Sequence, residues 1–551
     1  MIRRRYQANR MLDWNWGAFL SHLNSLEDFQ RPLEGCRVSA RKVLIATSIG
    51  GNFPAATLES LLGMALMQRG AEVHVLLCDA TLPACMDCDM TWYPDQEQFV
   101  KFGPSQDLCL SCFEPSEKIF ESLGIRVHKY SSWISSKERE EVRSLSSTIP
   151  MKQIPNFVWE GISVGEHGMA GALRFFARAT LDDEPRAEPV LRRYFHAALI
   201  TARVIHNILQ SQRYECAMFH HGIYVPQGII GEVARKNGVK VVNWNPAYRK
   251  NCFIFSHGTT YHHTMMDEPT SLWEDLPWTS AMDEKLTTYL QSRERGTQDW
   301  IYFHERPIDD LDSWIRESGM NPQKPCVGLL TNVMWDAQLH YPQNAFGSML
   351  EWVIQTIRYF SERPELQLVI RVHPAERSGA IPSRQFVVDE IGKVFPGLPP
   401  NVFLIGPENR LSTYSVMKMC NAALIYGTKM GVELCSIGIP VIVAGEAWIR
   451  NKGLTYDAVN CEEYFRLLDQ IPFLSKMSAS QVVRSRKYAY HFFFRRMIPL
   501  KSLKPIGNWP LYRVHVSQIK DLKPGVDPGL DLICDGILHG SPFVHCEEGL
   551  E

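Results

Sequence analysis

Short runs of apolar residues, each followed by a polar turn and then by a helical pattern, recur along most of the chain. The first run, residues 42–46, is followed by a turn with Gly50 and Gly51 and by a helical pattern over residues 55–68. Further runs follow at residues 72–77, 125–128, 216–219 and 241–242. Because apolar runs that alternate with helical patterns are typical of βαβ units, the sequence predicts a parallel sheet covered by helices.

The alternation lapses over residues 270–324 and then begins again. Apolar runs at residues 326–330, 368–370, 402–405 and 422–425, and from residue 441, indicate a second sheet. We therefore predict an α/β fold with two doubly wound domains. The predicted segments are an N-terminal helical extension (1–40), an N-terminal α/β domain (41–269) with a Cys-rich insert (78–115), a connecting helical region (270–324), a C-terminal α/β domain (325–470), and a C-terminal helix and tail (471–551).

Composition narrows the class of protein. The chain has 551 residues, of which 45% are hydrophobic and 21% charged, so it is long enough for two or three globular domains. Its 58 Lys and Arg against 60 Asp and Glu give a net charge of −2, which argues against nucleic acid as a partner. No apolar run reaches the roughly 18 residues of a membrane span, and the basic N-terminus lacks the apolar core of a secretory signal. We expect a cytoplasmic protein.

The stretch at residues 487–501 mixes aromatic and basic residues. It predicts either peripheral contact with the anionic inner face of a membrane or a C-terminal helix that packs against the rest of the fold. The packing interpretation is favoured because the apolar run is short. Oligomeric state is not indicated by any pattern in the sequence.

Two paired cysteine motifs predict a metal site. Cys85, Cys88, Cys109 and Cys112 have the spacing C-x2-C-x20-C-x2-C, which can place four thiolates tetrahedrally around zinc. Such a closed site would be structural, because it leaves no position for water or substrate. An iron-sulfur cluster and four unligated thiols remain alternatives.

Polar residues follow two strands of the predicted second sheet. After residues 368–370 come Arg371, His373 and Pro374, and the proline prevents further sheet pairing. Asn332 follows the strand at residues 326–330 in the same way. Ligands bind beyond the carboxyl ends of strands in open α/β sheets, so these residues are candidate ligand contacts.

A third strand end adds a candidate phosphate site. Gly427, Thr428 and Lys429 follow residues 422–425 and lie at the predicted amino terminus of a helix, where unpaired N–H groups favour anions. Glu433 lies about one turn further along. It is either an acceptor for ribose hydroxyls or a solvated helix residue.

A candidate general base lies in the first predicted domain. Glu166, His167 and Gly168 form a polar, turn-prone triplet that is predicted to precede a helix. A carboxylate or an imidazole at this position can deprotonate a substrate hydroxyl, provided that it lies within hydrogen-bond reach. The alternative role for Glu166 is capping of the helix.

The motifs RVHPAE and YGTKMGVELCSIGIPVIVAGEA resemble the HP and Ser/Thr motifs of the capsule polysaccharide biosynthesis family of glycosyltransferases. The resemblance implies the GT-B fold, in which two Rossmann-like domains face a cleft. In the related bacterial sialyl- and Kdo-transferases these motifs hold the phosphate of a CMP-activated sugar, which implies that role for His373 and for Thr428, here in place of the usual serine. The triplet at residues 166–168 is similar to that group's acid-acid-glycine motif, with His167 replacing the second acid, so either Glu166 or His167 is the implied base.

The predicted function is transfer of a sugar from a nucleotide donor to a surface polysaccharide or a lipid-linked glycan. A CMP-sugar is favoured over a UDP-sugar. His373, the helix terminus at Thr428 and Arg371 are expected to stabilise the leaving phosphate. The alternatives are a CDP-glycerol-type transferase or a nucleotide-sugar epimerase of the same fold, and a non-catalytic protein that binds a nucleotide sugar or acts as a scaffold.

Overall fold

The computed structural model describes residues 15–21, 41–301, 307–337, 339, 341–471, 476–507 and 510–546. Its strands, in chain order, are β1 Lys42–Ser48, β2 Glu72–Leu77, β3 Arg126–Lys129, β4 Cys216–His220, β5 Lys240–Pro246, β6 Cys252–His257, β7 Cys326–Leu330, β8 Gln367–Arg371, β9 Val402–Ile405, β10 Ala422–Ile425, β11 Val441–Val443, β12 Tyr456–Asp457, β13 Ile498–Pro499, β14 Leu503–Pro505 and β15 Tyr512–Val514.

The α-helices within the same residues are α1 Phe53–Gln68, α2 Gln96–Phe102, α3 Gln106–Ser122, α4 Ser136–Thr148, α5 Val164–Phe176, α6 Ala187–Ser211, α7 Gln227–Lys236, α8 Tyr261–Asp267, α9 Ser271–Glu274, α10 Ser280–Arg295, α11 Leu311–Ser318, α12 Met349–Ser361, α13 Ala375–Ser378, α14 Val387–Val394, α15 Thr413–Met419, α16 Met430–Ser436, α17 Cys461–Leu468, α18 Ala479–Tyr490 and α19 Pro528–His539. In the N-terminal extension, residues 15–21 are helical, and most of this predicted segment lies outside the described residues.

The chain divides into two compact units. The first comprises Met1–Phe176, Thr180–Tyr261 and Arg496–His545, and the second comprises Ala177–Ala179, His262–Arg495 and Cys546–Glu551. The two largest differences from the predicted segments are the following. Residues 270–324 belong to the second unit, and most of the predicted tail belongs to the first, because β13 pairs with β6 and extends the first sheet.

The first unit is built on a seven-stranded sheet with the order β13-β6-β5-β4-β1-β2-β3. The five strands from β5 to β3 are parallel, whereas β6 and β13 are antiparallel to their neighbours. The strands β14 and β15 form a separate antiparallel pair. The parallel sheet that the sequence predicts for this part of the chain is confirmed.

The second unit contains a six-stranded sheet with the order β12-β11-β10-β7-β8-β9, and every pairing in it is parallel. All residues of three interior strands, β10, β7 and β8, are buried. Strands that are covered on both faces read as continuous apolar runs, which is why the sequence pattern located them. The α/β class with parallel sheets is therefore confirmed for this unit as well.

The aromatic stretch after α18 is packed inside the protein. Phe492, Phe493 and Phe494 are buried, and their rings contact other residues of the second unit, such as Trp448 and Tyr289. The favoured packing interpretation agrees with the burial of these three side chains, and peripheral contact with a membrane stays a prediction. Among the described residues, no helix has the length and apolar character needed to cross a bilayer.

Candidate functional site

Three adjacent strands of the second sheet end in the predicted ligand contacts. Strand β7 lies between β10 and β8, and its end carries Thr331 and Asn332. The Thr331 Oγ1 accepts a hydrogen bond from the His373 backbone N–H at 3.0 Å, and the Asn332 Oδ1 accepts one from the Gly427 N–H at 3.5 Å. The central strand end therefore joins both neighbouring loops at one edge of the sheet.

The ring of His373 has a defined hydrogen-bond role. Its Nδ1 accepts a hydrogen bond from the Ala375 N–H at 3.1 Å. Because Nδ1 is an acceptor, the proton of the neutral ring is on Nε2, and this nitrogen is a donor. Pro374 precedes the single-turn helix α13, which brings Ala375 back to the ring. A donor at this strand end suits a phosphate oxygen.

The loop before α16 brings two strand ends close together. A Cβ atom on Gly427 would lie 3.3 Å from both the Asn332 side chain and the Glu446 backbone oxygen, so glycine permits this close approach. The Thr428 Oγ1 accepts a hydrogen bond from the Met430 N–H at 3.3 Å. Helix α16 has seven residues and begins at Met430. Such a short helix has a small dipole, so the Thr428 hydroxyl is the more specific feature.

Glu433 lies in a buried ionic cluster. Its side chain is 2% exposed, and it pairs with Arg293 Nε at 3.1 Å and with Lys429 Nζ at 3.0 Å. It also accepts a hydrogen bond from the Tyr414 hydroxyl, and Arg293 in turn pairs with Asp299. Glu433 is therefore not a solvated helix residue. A hydrogen bond from a ribose hydroxyl to Glu433 stays a prediction. Such a hydroxyl would share the Glu433 carboxylate with Arg293, Lys429 and Tyr414.

The charges of this cluster determine the ionisation of Glu433 and Lys429. Burial alone would raise the pKa of Glu433, but the nearby cations of Arg293 and Lys429 lower that pKa to about 2. Burial lowers the pKa of Lys429, and the Arg293 charge lowers it further, against the opposing effect of Glu433. Glu433 is thus an anion throughout the physiological pH range.

Arg371 is buried beneath a different loop. Its guanidinium donates hydrogen bonds to the Gly406 carbonyl at 2.5 Å, to the Asn409 carbonyl at 2.8 Å and to the Thr413 hydroxyl at 3.3 Å. Burial lowers the pKa of Arg371 to about 10. The observed partners make Arg371 an anchor for the loop that leads into α15. Its predicted contact with a phosphate stays a prediction.

A fourth strand end contributes a carboxylate that sequence reasoning missed. Glu446 follows β11, its side chain is 2% exposed, and its Oε1 accepts a hydrogen bond from the Gln343 N–H at 3.0 Å. Its Oε2 lies 2.8 Å from His263 Nε2, an ion-pair distance, although this contact lacks hydrogen-bond direction. The signal in the sequence was a polar residue shortly after a buried strand, which is also the signal that located Asn332, His373 and Thr428.

In the first unit, the predicted base triplet lies inside a helix rather than before one. Helix α5 begins at Val164, so the expected turn is wrong. His167 is 4% exposed. Its Nδ1 donates to the Ile223 carbonyl at 2.5 Å, and its Nε2 lies 3.1 Å from Glu232 Oε1. Both ring nitrogens therefore have partners within the first unit. Glu166 is half-buried in the first turn of α5.

The four cysteines of the predicted metal site do not form a recognisable metal centre. The Cys85 and Cys88 sulfurs are 3.9 Å apart, and the Cys112 sulfur accepts a hydrogen bond from the Gly51 N–H at 2.9 Å. Burial raises the pKa of Cys109 to about 12. Over the described ranges, no three His, Cys, Asp or Glu side chains are arranged to hold a metal ion. The zinc prediction is therefore not supported.

No protein-family model matches the chain, and no curated protein matches it. Solved structures with similarity include two β-Kdo transferases of KpsC from Thermosulfurimonas dismutans, both 12% identical. The match to the 2,4 transferase covers 56% of this chain and 87% of that transferase, with a TM-score of 0.33. The match to the 2,7 transferase covers 58% of this chain and 88% of that transferase, with a TM-score of 0.32. A UDP-GlcNAc 2-epimerase from Neisseria meningitidis, bound to UDP-GlcNAc, is 10% identical over 82% of this chain and 98% of its own, with a TM-score of 0.28.

Proposed function

We propose that this chain is a glycosyltransferase that moves a sugar from a nucleotide donor to a hydroxyl of a surface polysaccharide or a lipid-linked glycan. One observation supports the proposal most strongly. Thr331 and Asn332, at the end of β7, accept hydrogen bonds from the backbone N–H groups of His373 and Gly427, and so connect the two neighbouring loops. This arrangement collects donors at the carboxyl edge of a parallel sheet, which is where such sheets bind ligands.

The donor phosphate is the group that these residues suit. When the bond between sugar and phosphate breaks, negative charge develops on the leaving phosphate. The Nε2–H of His373 and the hydroxyl of Thr428 are proposed to donate hydrogen bonds to it. Donors that are held in place before the reaction are worth about 10²- to 10³-fold in rate each, because they need no reorganisation in the transition state. The Ala375 contact holds the His373 ring in the required tautomer.

The nucleotide is the first property to test. Calorimetric titration with CMP, CDP, UDP, GDP and ADP is expected to show selective binding of CMP. His373→Ala and Thr428→Ala should each weaken this binding by about tenfold or more, because each removes a hydrogen bond to a charged group. Thr428→Ser keeps the hydroxyl and should retain most of the affinity, and Lys393→Ala, an exposed change on α14, should have no effect.

The outcomes separate the candidate functions. Preference for UDP or GDP would keep a nucleotide-sugar enzyme and contradict the CMP donor. Conversion of a nucleotide sugar in the absence of any acceptor would favour an epimerase. Binding without any turnover would favour a non-catalytic protein, and binding of no nucleotide would overturn the proposal.

Glu166 is the proposed general base for the acceptor hydroxyl, because both nitrogens of His167 are already engaged. Glu166→Gln is expected to lower turnover by about a hundredfold and to leave donor affinity unchanged, since a base acts on the acceptor and not on the donor phosphate. Steady-state kinetics and calorimetry on the same variant check the two parts. Glu160→Gln, at a half-exposed neighbouring glutamate, is the control. Unchanged turnover in Glu166→Gln would exclude this role.

A further inference from the structure

A cavity of about 430 Å³ in the first unit is lined by an unusual set of basic side chains. Arg139 and Arg143 reach it from α4, and Arg193 and His196 reach it from α6. No Asp or Glu is among the described residues that line it. Its volume lies in the range of about 300–1,000 Å³ that is typical of small-molecule sites.

The arginines of this cavity are poorly neutralised by the protein. Arg193 is half-buried and donates from Nε and Nη2 to the Val100 carbonyl, at 3.2 and 2.6 Å. Arg139 makes one long hydrogen bond, 3.5 Å, to the Ser131 carbonyl. In the part of the chain that the structure describes, neither guanidinium has a carboxylate within ion-pair distance.

The third arginine has only a weak partner. Arg143 lies 3.7 Å from Glu140 on the same helix, and both side chains are mostly exposed, so this pair contributes little.

The positive charge of the arginines also acts on His196, the histidine of the cavity. Burial lowers the pKa of His196 to about 4, and the charges of Arg143 and Arg193 act in the same direction. His196 is therefore a neutral ring with hydrogen-bonding nitrogens beside uncompensated cations.

We propose that this cavity binds an anion that carries one or two phosphate groups. Carbonyl oxygens satisfy N–H groups but leave the charge of a half-buried guanidinium uncompensated, and a bound anion supplies the missing charge. The planar fork of a guanidinium matches the geometry of phosphate oxygens. Three arginines together match a ligand with at least two negative charges, which a phosphate monoester or a diphosphate provides. The proposal is independent of the nucleotide site in the second unit.

Calorimetric titration of the full chain with inorganic pyrophosphate tests the proposal. Arg139→Gln and Arg193→Gln should each weaken binding by about tenfold to a hundredfold, because each removes a charged donor. Arg193→Gln also removes the contacts with Val100, whereas Arg139 makes the single long hydrogen bond to Ser131, so Arg139→Gln is the more direct test. Lys137→Gln removes one charge from the same helix at a side chain that is 88% exposed, and it should leave the affinity unchanged. Added salt should weaken the binding.

The control variant His373→Ala distinguishes this cavity from the proposed donor site. Pyrophosphate binding that is lost in His373→Ala but kept in Arg139→Gln would place the anion in the second unit and overturn the cavity proposal. Absence of binding, or an equal loss in Lys137→Gln, would also overturn it. Co-sedimentation with phosphatidylcholine vesicles, with and without phosphatidic acid, then separates the two sources of phosphate. Binding to the acidic vesicles that Arg139→Gln abolishes would identify a lipid headgroup, and pyrophosphate binding alone would identify a soluble ligand.

Discussion

Replacement of Arg293 by alanine is expected to destabilise the second unit by about 3–5 kcal/mol. The Arg293 side chain is 5% exposed and pairs with two carboxylates, Asp299 and Glu433, which are 5% and 2% exposed. Without the guanidinium, Lys429 is the remaining ion-pair partner of Glu433 among the described residues. A buried carboxylate that loses a partner costs far more free energy than a surface ion pair contributes, because it has no access to water. Urea unfolding followed by tryptophan fluorescence measures the loss.

Two further variants show whether the buried charge is the cause. Arg316→Ala removes an exposed arginine of α11 in the same unit and should change the free energy of unfolding by less than about 0.5 kcal/mol. Adding Asp299→Asn to Arg293→Ala should recover part of the lost stability, because Arg293 is the ion-pair partner of Asp299, and asparagine keeps an acceptor for the Tyr289 hydroxyl while it removes the uncompensated charge. Equal effects of Arg293→Ala and Arg316→Ala would show that the cluster does not contribute as the geometry indicates.

This cluster also shows where sequence reasoning ends. The pattern of apolar runs located β7, β8 and β10, because parallel strands that are buried on both faces have few polar residues. The same pattern predicted that His373 and Thr428 share one edge of a sheet. It contained no information about Arg293, which is 140 residues from Glu433 in the chain. Local spacing shows the neighbours of a residue within one element, whereas an ion pair between distant elements depends on the packing of the whole unit.

The glycines of α5 explain a prediction that failed. Gly168 follows Glu166 and His167, and the triplet was expected to form a turn. Instead, a Cβ at Gly168 would lie 3.2 Å from the Phe195 backbone, and a Cβ at Gly171 would lie 2.3 Å from the Tyr194 ring. These glycines permit α5 to pack closely on α6. A glycine that is required for close packing and a glycine that is required for a turn look the same in one sequence.

The cysteine spacing is ambiguous for a similar reason. Cys109 and Cys112 lie three residues apart in the regular helix α3, and the Gly50 and Gly51 turn packs against that helix. Two cysteines at this spacing are equally compatible with a metal-binding turn and with one face of a helix. The spacing alone does not distinguish these structures.

A buried carboxyl group in the first unit gives the last expected result, a stability that falls as the pH rises. Glu59 on α1 is 3% exposed, and its Oε1 accepts hydrogen bonds from the Thr47 hydroxyl and from the Trp244 Nε1–H. Burial raises the pKa of Glu59 from 4.5 to about 8, against the smaller opposing effect of these two hydrogen bonds. Between these two pH values the folded chain holds a proton that the unfolded chain has lost. Ionisation is therefore linked to unfolding, and the contribution of Glu59 to stability decreases from pH 4.5 to pH 8.

Glu59→Gln should remove this dependence, because a glutamine keeps the acceptor oxygen and does not ionise. Relative to the parent protein, the variant should gain about 3 kcal/mol in free energy of unfolding between pH 5 and pH 7.5, and its advantage should be smallest at the acidic end. Urea unfolding of both proteins at several pH values in this window measures the difference. Glu121→Gln, at an exposed glutamate of α3, should follow the parent protein at every pH. A constant difference between Glu59→Gln and the parent would mean that Glu59 is already ionised in the folded protein, and that Thr47 and Trp244 stabilise a buried anion instead of a neutral acid.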